Sequence, residues 1–167
     1  MSERSKTSRE SNPPPAAAPL KALLLRLGTV ERVALAEVLD IKATQDAALA
    51  LAALADFAAD VAVADIGTSD RETTALLKGL RDPDSTPRKG LPVICLLGES
   101  SPGRVRGLVK AGVDHVMIKP ISAAALCDLA QHLCDNPLPQ ISVPKYTGPD
   151  RRRLPDDSFT GPNRRLG

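Results

Sequence analysis

Three short apolar runs constrain this chain more than any other feature: Leu20 to Leu25 (LKALLL), Val61 to Ala64 (VAVA) and Pro92 to Leu97 (PVICLL). A strand with one solvated face alternates apolar and polar residues, whereas a near-continuous apolar run needs burial on both faces, the environment of a central strand in a parallel sheet. Longer amphipathic stretches separate these runs, and that alternation reads as repeated βα units. Each crossover between parallel strands is right-handed, which distributes helices over both faces of a doubly wound α/β sheet.

Along the chain, Thr29 to Leu39 reads as a helix with Val30, Val33, Ala34 and Val38 at helical spacing and Thr29 as its N-cap. A second strand around Ile41 to Ala43 is weakly signalled, since only Ile41 is strongly apolar. The Ala- and Leu-rich stretch from Asp46 to about Ala55 has high helix propensity. The VAVA run delivers Asp65 at its carboxyl end, a helix follows from about Arg71 to Leu80, and DPDSTPRKG (residues 82–90) is a loop by composition. After PVICLL, a turn with Pro102 and Gly103 leads into a helix through Ala111. His115 to Ile118 (HVMI) is a fifth strand ending at Lys119-Pro120. Ser122 caps a last helix to about Asp135 with Leu126, Leu129, Ala130 and Leu133 inward, and Pro137 and Pro139 stop it. Strand carboxyl ends meet at one crevice in such sheets, which makes Asp65 and Lys119 neighbours.

The chain has 167 residues, which suits one domain with additional tails. Its aromatics are Phe57, Tyr146 and Phe159, with no Trp, so the core is built from Ala, Leu, Val and Ile and carries no base-stacking platform. The net charge of +2 gives no chain-wide nucleic-acid footprint, and no specific DNA binding is expected. Residues 21–135 carry 13 basic and 15 acidic side chains, a slightly acidic body, and residues 136–167 carry six and three, a basic tail. Cys95, Cys127 and Cys134 match no CxxC metal pair and read as reduced thiols. His115 and His132 have no partner at ligand spacing, and no phosphate-binding glycine loop or nucleophile motif is present, so the expectation is a non-enzymatic protein. No signal-peptide or bilayer-spanning run occurs, and a cytoplasmic location is expected. Residues 1–19 mix Ser, charge and Pro13-Pro14-Pro15 and are expected to be disordered.

In this order, VAVADIGTSDRETTALLKGLR, LPVICLLGES and KAGVDHVMIKPIS resemble the receiver domain of bacterial two-component response regulators, the last being similar to the family's AGADDYLVKPFS passage. The resemblance covers about residues 20–135 and implies a flavodoxin-like (βα)5 sheet of strand order 2-1-3-4-5. It implies Asp65 as the phosphoacceptor position and Lys119 as the cation that pairs with the phosphoryl group. Receivers hold Mg²⁺ with an acidic pair after the first strand, where this chain has Arg26 and Leu27. The family's hydroxyl residue at the end of the fourth strand aligns with Leu97, and its switch aromatic aligns with Val116. The resemblance is thus to a degenerate receiver, or pseudo-receiver, with no cofactor unless the altered site still takes Mg²⁺. Asp65 is expected to pair with Lys119, and Arg26 is a second candidate partner; the alternative has Arg26 facing solvent and Asp65 accepting loop N–H bonds. The family's contact face would comprise Arg104 to Ala111, His115 to Ile118 and Ser122 to Leu133, and its partners would be a histidine kinase or a downstream target. A conventional response regulator phosphorylated on Asp65 remains the alternative.

The basic tail, residues 136–167, contains a near-repeat: Tyr146-Thr147-Gly148-Pro149-Asp150-Arg151-Arg152 returns thirteen residues later as Phe159-Thr160-Gly161-Pro162-Asn163-Arg164-Arg165. Pro followed by Asp or Asn favours a tight turn that presents two guanidinium groups beside an aromatic ring. Tyr146, Arg151, Arg152, Phe159, Arg164 and Arg165 are therefore candidate anion-binding residues, suited to a phosphorylated nucleotide or nucleic acid; in general design the tail resembles the arginine-rich extensions of some receiver-like proteins that bind cyclic di-GMP. The competing expectations are docking on an acidic partner, folding back on the acidic body, and a solvated basic tail.

Overall fold

Side chains leave a strand alternately to its two faces, and here both sets are apolar. The computed structural model describes residues 18–151 apart from 68–69, 83, 85–87, 89 and 100. Its elements in chain order are β1 (Lys21–Leu25), α1 (Thr29–Ala36), β2 (Asp40–Thr44), α2 (Ala47–Ala53), β3 (Val61–Ile66), α3 (Arg71–Arg81), β4 (Val93–Leu97), α4 (Pro102–Ala111), β5 (His115–Ile118), α5 (Ala123–Asp135), β6 (Gln140–Val143) and β7 (Tyr146–Pro149). The first five strands form one parallel sheet of order β2-β1-β3-β4-β5. Leu23, Leu25, Ala62, Ala64, Val93, Cys95 and Leu97 pack with α2, α3 and α4 on one face. Ala22, Leu24, Val61, Val63, Ile94 and Leu96 pack with α1 and α5 on the other. Small residues keep these layers thin; a Cβ on Gly79 of α3 would lie 2.4 Å from Leu51 of α2.

The apolar runs and the strand order follow the sequence expectation, and the differences have local causes. Asp46 caps α2 by accepting from Leu49 N–H at 2.8 Å, and Ser122 caps α5 from Ala125 N–H at 3.1 Å. Thr29 is not a cap: Gly28 holds the N-cap position, and Thr29 is the first helical residue, its hydroxyl accepting from Arg32. The helix ends at Ala36, before Leu39. Its inner face is also not the valine stripe. Val30 and Val33 are 81% and 62% exposed, while Leu35 is buried. Leu27 and Leu39, just beyond the helix ends, are buried in the same cluster as Leu35 and fix the face it presents. At about 100° per residue, Val30 and Val33 then lie well round the helix from it. The second strand runs from Asp40 to Thr44, longer than its apolar content suggests, because as an edge strand it is largely solvated and needs no continuous apolar run. No helix among the described residues is long and apolar enough to cross a membrane.

After α5 the chain does not leave the domain. β6 and β7 form an antiparallel hairpin closed by Pro144-Lys145, and Asp150 N–H donates to Pro139 O at 2.7 Å, so the Pro149-Asp150 step extends the ladder in place of the expected turn. Gly148 and Pro149 are buried against the segment that joins α4 to β5. Contact is close enough that a Cβ on Gly112 would sit 2.7 Å from Thr147 O, and one on Gly148 would sit 2.8 Å from Gly112 Cα. Gly112 has φ of +95°, the left-handed region that ends α4 and that glycine adopts without strain.

Behind Gly112 lies a buried ion pair. Arg81, at the end of α3, reaches Asp114 at 2.6 Å, and both side chains are only 4% exposed. The guanidinium also donates to Gly112 O at 3.0 and 3.1 Å and to Leu91 O at 2.9 Å, while Asp114 accepts Val93 N–H at 2.7 Å. Burial pushes the Asp114 carboxyl up from the usual carboxylate value, opposed by Arg81, the Val93 N–H and Arg151. Removing one partner of such a pair leaves an uncompensated buried charge. Arg81→Ala is therefore expected to lower stability in urea by about 3–5 kcal/mol, and Arg81→Met/Asp114→Leu to recover most of that loss.

Candidate functional site

β3 ends with Ile66 in the core and Asp65 half-buried at the crevice, as strand alternation dictates. β5 reaches the same edge, and Lys119 N–H donates to Leu97 O at 2.8 Å, which extends the β4–β5 ladder by one residue. β4 lies between β3 and β5, so the side chains of Lys119 and Asp65 both reach across its end to meet. The Lys119 ammonium donates to Asp65 Oδ2 and lies 3.6 Å from Glu31 Oε1 in the first turn of α1. One cation thus joins β3, β5 and α1. Burial disfavours the charge on Lys119, but the Asp65 bond, the Asp65 charge and then Glu31 outweigh it, and its pKa is raised from the ordinary lysine value.

The sequence alone does not mark Glu31, since an acid in a first helical turn reads as a favourable interaction with the helix dipole. Gly28 makes its position accessible, because a Cβ there would lie 2.4 Å from Glu31 Oε2. Arg104 is a second addition. From α4 it donates to Gly67 O at 2.8 Å and to Asp70 Oδ1 at 2.7 Å, tying the segment after β3 to α4.

Arg26 and Leu27 are turned away from Asp65. Arg26 is exposed with φ of +63°, and its N–H donates to Thr44 O at 2.9 Å. That left-handed residue sends Leu27 into the core beside Leu35 and Leu39. Among the described residues no ion pair joins Arg26 to Asp65: Asp65 is paired with Lys119, and Glu31 is a second carboxylate on the same ammonium. Leu97 is buried between Ile66 and Ile118 in register, and Val116 is half-buried against the same core. Neither brings a hydroxyl or an aromatic ring to the crevice. Among the described residues no group of three or more His, Cys, Asp and Glu side chains is arranged to hold a metal ion. At the position after β1 where the resemblance implies an acidic pair for Mg²⁺, the chain has an exposed Arg26 and a core Leu27, which offer no carboxylate.

Of the candidate tail residues, Tyr146 and Arg151 lie at the other end of the sheet. The Tyr146 hydroxyl donates to Pro149 O at 2.9 Å, inside the hairpin. The Arg151 guanidinium donates to Val113 O and, at 3.0 Å, to Asp114 O. The first repeat unit is thus folded back on the body, with Arg151 on backbone carbonyls. Burial and then Arg151 lower the pKa of His115. Arg152, Phe159, Arg164 and Arg165, like residues 1–17, lie outside the described residues. Burial pushes the Cys95 thiol up to about 12, which leaves it an inert core group.

No family model matches the sequence, and no curated protein matches it. Solved structures do. The chain is similar to the chemotaxis protein CheY4 of Vibrio cholerae, at 20% identity and a TM-score of 0.59, over 69% of this chain and 98% of that one. It is similar to a CheY-like response regulator receiver domain protein of Methanospirillum hungatei at 21% and 0.57, over 71% and 95%. A Francisella response regulator receiver domain gives 24% and 0.57, over 70% and 97%. The chain has the receiver fold.

A group whose folded pKa is raised stabilises the fold fully below its unfolded pKa and loses that contribution as pH rises through the folded one. The melting-temperature difference between the protein and Lys119→Met should therefore be constant from neutral pH, where Asp65 and Glu31 are charged, up to about pH 10 and close above it. Thermal denaturation across alkaline pH measures this, and subtracting the variant removes the thiols that titrate in the same range.

Proposed function

We propose that this chain is a non-enzymatic signal-transduction module of the response-regulator type, a pseudo-receiver whose crevice is held by a permanent ion pair and whose output is contact with a signalling protein. The observation that carries this is the turn at Arg26, which buries Leu27 and removes the metal-holding position while Asp65 remains engaged by Lys119. Lys119 supplies a fixed positive charge beside Asp65, and Glu31 shares it from α1. The crevice is then organised without a phosphoryl group or Mg²⁺.

The contact surface would be the α4–β5–α5 face. β5 is an edge strand with His115 exposed and Ile118 42% exposed, which offers a partner both a free backbone edge and an apolar side chain. The hairpin covers one end of α4 and leaves this strand edge unpaired among the described residues.

A conventional response regulator, phosphorylated on Asp65 by a histidine kinase, is favoured by one observation, the adjacency of Asp65 and Lys119. Acetyl phosphate, or beryllofluoride with Mg²⁺, separates the two. The pseudo-receiver gives no adduct on Asp65 and the same melting temperature with and without Mg²⁺. A Mg²⁺-dependent adduct that Asp65→Asn abolishes would establish the conventional mechanism instead. For the nucleotide-sensor alternative, Arg151 is already engaged by Val113 and Asp114 carbonyls. Calorimetry of the full chain with cyclic di-GMP is expected to show no saturable heat, and binding that is lost on Arg151→Ala/Arg164→Ala would overturn that expectation.

A further inference from the structure

The notch at Gly112–Asp114 recognises the first repeat unit through very few groups. Thr147 offers its backbone carbonyl, close above Gly112. Gly148 allows backbone-to-backbone contact that any Cβ would block. Pro149 is buried, and Arg151 donates to the carbonyls of Val113 and Asp114. Each of these four has an identical counterpart thirteen residues on: Thr160, Gly161, Pro162 and Arg164. The units differ at Tyr146 against Phe159 and at Asp150 against Asn163. The Tyr146 hydroxyl bonds only within its own hairpin, to Pro149 O.

We propose that the Gly112–Asp114 notch is a docking site for the repeated unit, and that Phe159–Arg164 of the same chain is its second occupant, seating there whenever Tyr146–Arg151 leaves. The second unit is tethered to the first, so its effective concentration at the notch is high. Pairing it with β6 replaces the two-residue connection 144–145 by the fifteen residues 144–158. Loop closure then disfavours it by roughly a factor of twenty. It also lacks the tyrosine hydroxyl bond. The first unit therefore holds the notch, and the second occupies it in a minor population of a few per cent at most on this loop estimate.

Gly148→Val places a side chain where Gly112 Cα stands and expels the first unit without touching the body. In the full chain, backbone amide shifts of residues 112–115 report the state of the notch. Gly148→Val is expected to keep them near the wild-type positions, because the second unit takes over, and Gly148→Val/Gly161→Val is expected to move them. Identical spectra of the single and double variants would overturn the proposal. A synthetic peptide of residues 158–167 added to the double variant should restore the docked shifts saturably, and the same peptide with Gly161→Val should not. Failure of the first peptide, or equal binding of the second, overturns it as well. Shifts of Gly148→Val that change on dilution would place the second unit on another molecule and overturn the same-chain form.

Discussion

Burying three adjacent strands on both faces with no aromatic ring among the fully buried residues, Phe57 packing only partly buried against one layer, is the constraint on which the rest of this structure depends. Leu23, Leu24 and Leu25 of β1, Val61 and Val63 of β3, and Ile94 and Leu96 of β4 have no solvent exposure. Each such side chain is worth about 1.5–3 kcal/mol relative to exposure, so these strands outweigh any single polar contact in the domain. Thin aliphatic layers also force close helix approach, which explains Ala47, Ala50 and Ala130 among the buried helix positions and the glycine that faces Leu51. Once the sheet order is set, Asp65 and Lys119 reach the same edge by strand length alone.

The two ends of that sheet carry their charges in different ways. At the amino ends, Arg81 and Asp114 are enclosed, and nearly every donor and acceptor is matched by a carbonyl or an amide. At the carboxyl ends, Lys119 and Glu31 are about a third exposed and their contact is long. Partly solvated pairs contribute little and respond to salt, whereas a broken buried pair costs several kcal/mol. Structural rigidity therefore belongs to the end that the hairpin covers. At the crevice, by contrast, the long Glu31 contact can rearrange at small cost while Lys119 stays on Asp65.

Most of this architecture is legible in the sequence because continuous apolar runs have few alternatives to doubly buried strands. Asp65 and Lys119 follow from where those runs stop. Glu31 is not legible, since its arrival at Lys119 depends on Gly28 and on the pitch of α1, which no residue pattern fixes. The face of α1 is misread for a related reason: Val30 and Val33 form a good helical stripe, but Leu27 and Leu39, outside the helix, decide which side turns inward. Arg81 and Asp114 lie 33 residues apart and look like ordinary surface charges until the end of α3 meets the segment just before β5. The hairpin is hidden by Pro144 and Pro149, residues that argue against strands in general but are tolerated in a two-stranded ladder with free edges.

β5 links these two ends. It is four residues long, with Asp114 held by Arg81 just before it and Lys119 held by Asp65 and Glu31 just after it. Arg151 adds a second guanidinium on the carbonyls of Val113 and Asp114. A strand this short has little apolar burial of its own: His115 and Ile118 are exposed, and Val116 and Met117 are half-buried. Its position is therefore set by charge and backbone hydrogen bonds at both ends more than by packing. A protein that binds this edge competes with no core contact, and the energy needed to shift the strand is governed by the weaker of its two anchors, the partly solvated one at the crevice.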